Sequence, residues 1–176
     1  MRIGLKIGLV WALSGVAWGT TLEQLSMGTM IRQSTAIVRV RVGGSSAGRR
    51  GSDIYTSYRL DVLETLKASK TVPSEVAVPG GTLSGMRQTV AGAPKLVDGQ
   101  EYVLFLWTSP SGLTQVIGLS QGVFTVLKNA AGDSTVVRAA STEPMLGAGG
   151  QPVKDQNVIG AGGIVHCVKH PTFLCF

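Results

Sequence analysis

The stretch Ala36-Ile37-Val38-Arg39-Val40-Arg41-Val42 decides the fold class. After Ile37 it alternates strictly, with Val38, Val40 and Val42 on one side and Arg39 and Arg41 on the other. Successive side chains of a strand point to opposite faces, so the pattern predicts a half-buried β-strand. On its N-terminal side, residues 22–33 place Leu22, Leu25 and Met30 along one side of a short amphipathic helix. Thr20 or Thr21 would cap that helix, and Glu23 would sit in the first turn, where the dipole favours an anion. On its C-terminal side, residues 43–52 read as a Gly/Ser/Arg loop. Residues 54–66 follow as a long strand, with Tyr58, Leu60 and Val62 on one face and Tyr55, Arg59, Asp61 and Leu63 on the other. A strand of that length is expected to bend, as strands of barrels do at corners.

Further along, Glu75-Val76-Ala77-Val78 is a short strand ended by Pro79-Gly80-Gly81. Residues 80–94 show no useful periodicity, and a loop of that length in a compact domain is functional or mobile. The apolar run from Tyr102 to Trp107 predicts a strand buried on both faces. Residues 113–117, 122–128 and 135–138 complete about seven strands separated by turn signals. Their number, the 24 glycines and a charged fraction of only 15% predict an all-β domain. The expected architecture is mainly β with one short N-terminal helix. It is an OB-like barrel, closed or partly open, of about five to seven strands spanning residues 20–140. Residues 141–176 read as a flexible Gly-rich tail, with little strand pattern through residue 164.

The N-terminus predicts export. Arg2 and Lys6 precede an apolar run over residues 7–17, and Ala17-Trp18-Gly19 puts small residues at −3 and −1 of a cut before Thr20. That run is too short to span a bilayer, which takes about 20 residues. The mature protein is expected to be secreted or periplasmic, with no membrane span. Cleavage removes two cations and no acid, which lowers the net charge from +6 to +4 and leaves 157 residues, enough for one domain.

Three segments carry a resemblance. Ser34-Thr35-Ala36-Ile37-Val38-Arg39-Val40-Arg41-Val42 is similar to the first strand of the netrin-like domains, the OB-type barrels shared with tissue inhibitors of metalloproteinases. Tyr58-Arg59-Leu60-Asp61-Val62-Leu63-Glu64-Thr65-Leu66-Lys67 resembles their second strand, which ends in a Lys. Asp98-Gly99-Gln100-Glu101-Tyr102-Val103-Leu104-Phe105 resembles their "G-x-E-Y-L-L-F" strand. Pro79-Gly80-Gly81 and residues 99–105 also look like a group of uncharacterised secreted bacterial proteins. The resemblance implies the fold over residues 22–128. It does not carry over zinc-chelating inhibition, because the inhibitors use an N-terminal Cys and the expected mature terminus here is Thr20.

Catalytic candidates are poor, and no enzymatic activity and no cofactor are expected. Two Gly-x-Ser-x-Gly matches centre on Ser46 and Ser120, but neither lies between a strand and a helix pattern, the setting a nucleophile elbow requires. Asp61 and Glu64 are spaced oddly on a strand and are expected to face opposite sides. The only histidines, His166 and His170, share the C-terminal segment with Cys167 and Cys175. In an oxidising compartment a Cys167–Cys175 disulfide is the plainer expectation. Free or intermolecular thiols, or a metal held by His166, Cys167, His170 and Cys175, are the alternatives. Two binding surfaces stand out. Arg39, Arg41 and Arg59 could form a basic strand face for an oligosaccharide or nucleic acid, although at +4 an ordinary solvated face is favoured and nucleic acid is not the expected partner. Met86-Arg87-Gln88 puts an apolar anchor beside a cation in the unpatterned loop, which suits contact with a protein partner; an ordinary connection is the competing reading. The sequence leaves the identity of that partner and the oligomeric state open.

Overall fold

The computed structural model describes residues 21–69, 71–128, 134–139, 141, 143–147, 149–153 and 158–160. The expected export segment, the turn at 129–133 and the Cys/His cluster at 166–175 lie outside the described residues. In chain order the elements are β1 (Leu22–Glu23), α1 (Met27–Gln33), β2 (Ala36–Arg50), β3 (Asp53–Ala68), β4 (Glu75–Pro79), β5 (Gly81–Leu83), β6 (Met86–Gln88), β7 (Glu101–Thr108), β8 (Thr114–Val116), a 3-10 turn (Leu119–Gly122), β9 (Val123–Lys128), β10 (Ser134–Val137), β11 (Met145–Leu146), β12 (Pro152–Val153) and β13 (Val158–Gly160). The mainly-β expectation with one short α-helix holds. No helix among the described residues is long and apolar enough to cross a membrane.

The main sheet has the order β13-β10-β9-β7-β2-β3-β4, with β8 added to β7. Strands β2, β3 and β4 follow one another, and β7 returns beside β2, which is the 4-1-2-3 order of a Greek key. The two edges are not joined, so the sheet is open where a closed barrel was one expectation. It curls instead. β4 and β8 approach without pairing, and Val76 and Val78 of β4 and Val116 of β8 pack into the same cluster.

That curl gives two cores. On one face α1 lays Met27, Met30 and Ile31 over Ile37, Val103, Phe105, Phe124, Val126 and Val136. On the other, Val38, Val40 and Val42 meet Tyr58, Leu60, Leu104 and Leu106. The central strands β2 and β7 therefore bury side chains on both faces. Trp107, at the end of the apolar run, is the exception at 42% exposed.

Three elements differ from the sequence reading, each for a local reason. The helix begins at Met27, because the Ser26 hydroxyl accepts from the Thr29 N–H (3.1 Å) and caps it. Leu22 is in a strand, with its N–H donating to the Pro144 carbonyl. The expected loop at 43–52 is instead the outer half of β2, paired with β3 as far as Arg50–Asp53. Pairing supplies what the glycines' low strand propensity lacks, and a register shift near Gly44, at φ +122°, absorbs the irregularity. Finally, residues expected to be a flexible tail form β11, β12 and β13, which pair with β1, β11 and β10 respectively.

Candidate functional site

Register decides what the arginine face becomes. In β2, Arg39 and Arg41 point to the same side as Ile37. Arg41 lies opposite Glu101 of β7. The Glu101 carboxylate is almost fully buried and accepts from Arg39 Nη2 (2.6 Å) and Nε (3.2 Å), Arg41 Nη2 (2.8 Å) and Lys128 Nζ (3.1 Å). On the other flank, β3 places Glu64 opposite Arg39 and Asp61 opposite Arg41. The two acids were expected on opposite faces. A bulge that leaves Leu63 without a register partner shifts the phase by one residue and brings both to the arginine side. Arg59 does not reach Glu101; its guanidinium donates to the Gly43 carbonyl and lies on the same side of Gly43 as the Asp61 carboxylate. Arg39 and Arg41 are thus flanked by acids from both neighbouring strands.

The hydrogen bonds from Arg39 and then Arg41 hold the Glu101 carboxyl down to about 2 from its ordinary 4.5; burial acts the other way and is outweighed. A carboxyl depressed in the folded state stabilises the fold above its unfolded value and loses that contribution as pH falls from about 4.5 toward 2. Arg41 and Lys128 are half-exposed and screened, so the contribution expected is about 2 kcal/mol rather than the larger figure an unscreened shift implies. Denaturation midpoints measured between pH 6 and 2.5 should show this loss. Glu101→Gln should remove that part of the acid dependence; an unchanged slope would show that other carboxylates govern it.

The second surface is the loop at 80–94, which the structure folds into a hairpin. β5 and β6 pair from Gly81–Gln88 to Leu83–Met86, closed by Ser84 at φ +49° and Gly85 at φ +80°. Positive φ at both central residues makes a type I′ turn, which matches the twist of paired strands. The base of the hairpin is fastened to β3. The Ile54 N–H donates to Gln88 Oε1 (2.6 Å), the Gly80 N–H to the Ile54 carbonyl (2.7 Å), and the Thr56 hydroxyl to the Gly80 carbonyl (2.8 Å). Gln88 also reaches Asp53 (3.3 Å), so it anchors the hairpin and does not present itself to a partner. Met86 is 51% exposed at the tip, with Arg49 Nη2 4.0 Å from its sulfur. Arg87, in register with Thr82, is exposed. A cavity of about 430 Å³ lies beneath, between the hairpin, β3, β4 and residues 93–97.

Neither Gly-x-Ser-x-Gly serine sits on a strand-to-α-helix turn. Ser46 is within β2, and Ser120 is in the 3-10 turn leading to β9. Among the described residues no three His, Cys, Asp or Glu side chains converge to hold a metal ion. Sequence reading missed Trp107, whose indole borders two clefts, and Gln121, buried with its amide bonded to the Leu25 N–H (2.8 Å) and the Glu23 carbonyl (2.9 Å). Tyr58, read on one strand face with Leu60, is buried with it in the core. The chain matches no protein-family model, no curated protein and no solved structure.

Proposed function

We propose that the protein is a secreted, non-enzymatic binding module on an OB-like, netrin-like sheet, engaging a protein partner through the β5–β6 hairpin. One observation carries the reading. The hairpin is paired to no strand of the main sheet, yet it is pinned at its base by four hydrogen bonds to β3, so the exposed Met86 at its tip is held out in a fixed geometry. Rigid presentation lowers the ordering cost of binding. The partly open Greek key is in keeping with an OB-like frame, and the pattern of residues 1–19 supports export. The alternative surface, the face of Arg39 and Arg41, is the weaker reading, because both guanidiniums are already spent on Glu101.

A photo-crosslinker placed at Met86, and separately at Leu127, which is 50% exposed, tests the assignment in an extract of the secreting cells. The expected result is one defined adduct from position 86 and none from position 127, lost when Ser84 and Gly85 are replaced by a longer Gly-Ser linker. Equal adducts from both positions, or capture indifferent to the linker, would remove the hairpin from the proposal.

A further inference from the structure

The cavity under the hairpin has a composition that the fold alone does not explain. Arg87 and Lys95 both line it, and no lining residue is acidic. Neither cation has a hydrogen-bond or ion-pair partner among the described residues. Every acid on the arginine face stands close to a cation, whereas these two cations share a cavity without any carboxylate. Tyr58 lines the same cavity, is 8% exposed, and its hydroxyl likewise has no partner among the described residues. A hydroxyl lining the cavity without a protein partner keeps its donor for whatever occupies that cavity. The remaining wall is apolar, from Val78, Val90, Pro94 and Leu96.

We infer that this cavity is a binding site for a small organic anion, a carboxylate or phosphate carried on a short apolar body. The acidic head meets Arg87 and Lys95 and accepts from the Tyr58 hydroxyl, while the body lies against the apolar wall. About 430 Å³ falls within the range of small-molecule pockets, which combine apolar walls with a few placed polar groups. The inference rests on reading this loop as the binding element but not on the partner being a protein.

The test is an amide-resolved NMR titration of the intact protein with hexanoate, hexyl phosphate, hexanol and inorganic phosphate. Hexanoate or hexyl phosphate should shift the amides of Thr89, Val90 and Leu96, and whichever binds more tightly identifies the head group. Hexanol and inorganic phosphate should each bind about tenfold more weakly, since each lacks half of the recognition. Arg87→Gln with Lys95→Gln should weaken hexanoate about tenfold, and raised salt should do the same in part. Both side chains are exposed and unpaired, so the fold should survive their replacement. Tyr58→Phe, which keeps the packing, should weaken it less. Hexanol binding as tightly as hexanoate, unchanged affinity in the Gln variant, or shifts centred on Arg41 and Lys128 would each overturn the inference. Met86 does not line the cavity, so Met86→Ser should leave hexanoate binding intact while reducing capture of the protein partner in a pull-down. Failure of one reading is thereby separated from failure of the other.

Discussion

Phe105→Ala is expected to cost about 3–5 kcal/mol of stability, read as a lower denaturant midpoint with an unchanged slope. Phe105 is fully buried in the middle of β7 and, with Phe124, is the largest such side chain among the described residues. Its ring centroid lies 5.3 Å from that of Phe124 at an interplanar angle of 47°, one of the tilted arrangements that aromatic pairs favour. Above the pair stand Met30 and Ile31 of α1. A helix of seven residues is too short to hold itself, so it depends on this contact. Beneath runs the backbone of β7, with Leu104 and Leu106 filling the opposite core. A vacancy at 105 cannot be closed from below without disturbing a second packed layer, which places the cost toward the upper end. A loss under about 1 kcal/mol would mean that α1 settles into the space, and that the two cores are not rigidly coupled.

The reach of the sequence can be judged on the same residues. The alternation of Val38, Val40 and Val42 and the apolar run from Tyr102 were legible, because side-chain period follows directly from strand geometry. What the sequence hid was phase and partner. Asp61 and Glu64 join the arginine face together only because Leu63 is bulged out, and one extra residue inverts the expected facing until a second register shift at Leu66 restores it. Glu101 was legible as a charge but not as the shared partner of Arg39 and Arg41, about sixty residues away along the chain, and of Lys128, 27 residues away. The turn at Ser84-Gly85 carried a usable signal, since Ser-Gly dipeptides mark turns, but three-residue strands on either side are too short for periodicity to register. Residues 145–160 look like a linker because their strands are two or three residues long and exist through pairing of β11 with β1 and β12 and of β13 with β10.

Gly81→Val is expected to cost about 3 kcal/mol and to release the hairpin from β3. Gly81 has φ +144°, outside the range that side-chain-bearing residues adopt at low cost, and such strain is worth about 1–3 kcal/mol. A Cβ built there would come within 2.5 Å of Thr56 Oγ1 and 3.3 Å of Ile54 Cγ2. Thr56 cannot simply turn aside, because its hydroxyl donates to the Gly80 carbonyl and is one of the four bonds that fasten the hairpin. The substitution therefore sets the backbone against the anchor, and either the anchor breaks or the hairpin moves. Both outcomes open the cavity beneath, so hexanoate binding should fall with stability even though Arg87 and Lys95 remain in the chain. A double-mutant cycle with Thr56→Ala separates the contributions. In that background the steric part is relieved and the cost of Gly81→Val should drop by about 1 kcal/mol, leaving the backbone strain. Additive costs would show that the clash is absorbed elsewhere, and would shift the origin of the hairpin's fixed position from Thr56 to Gln88.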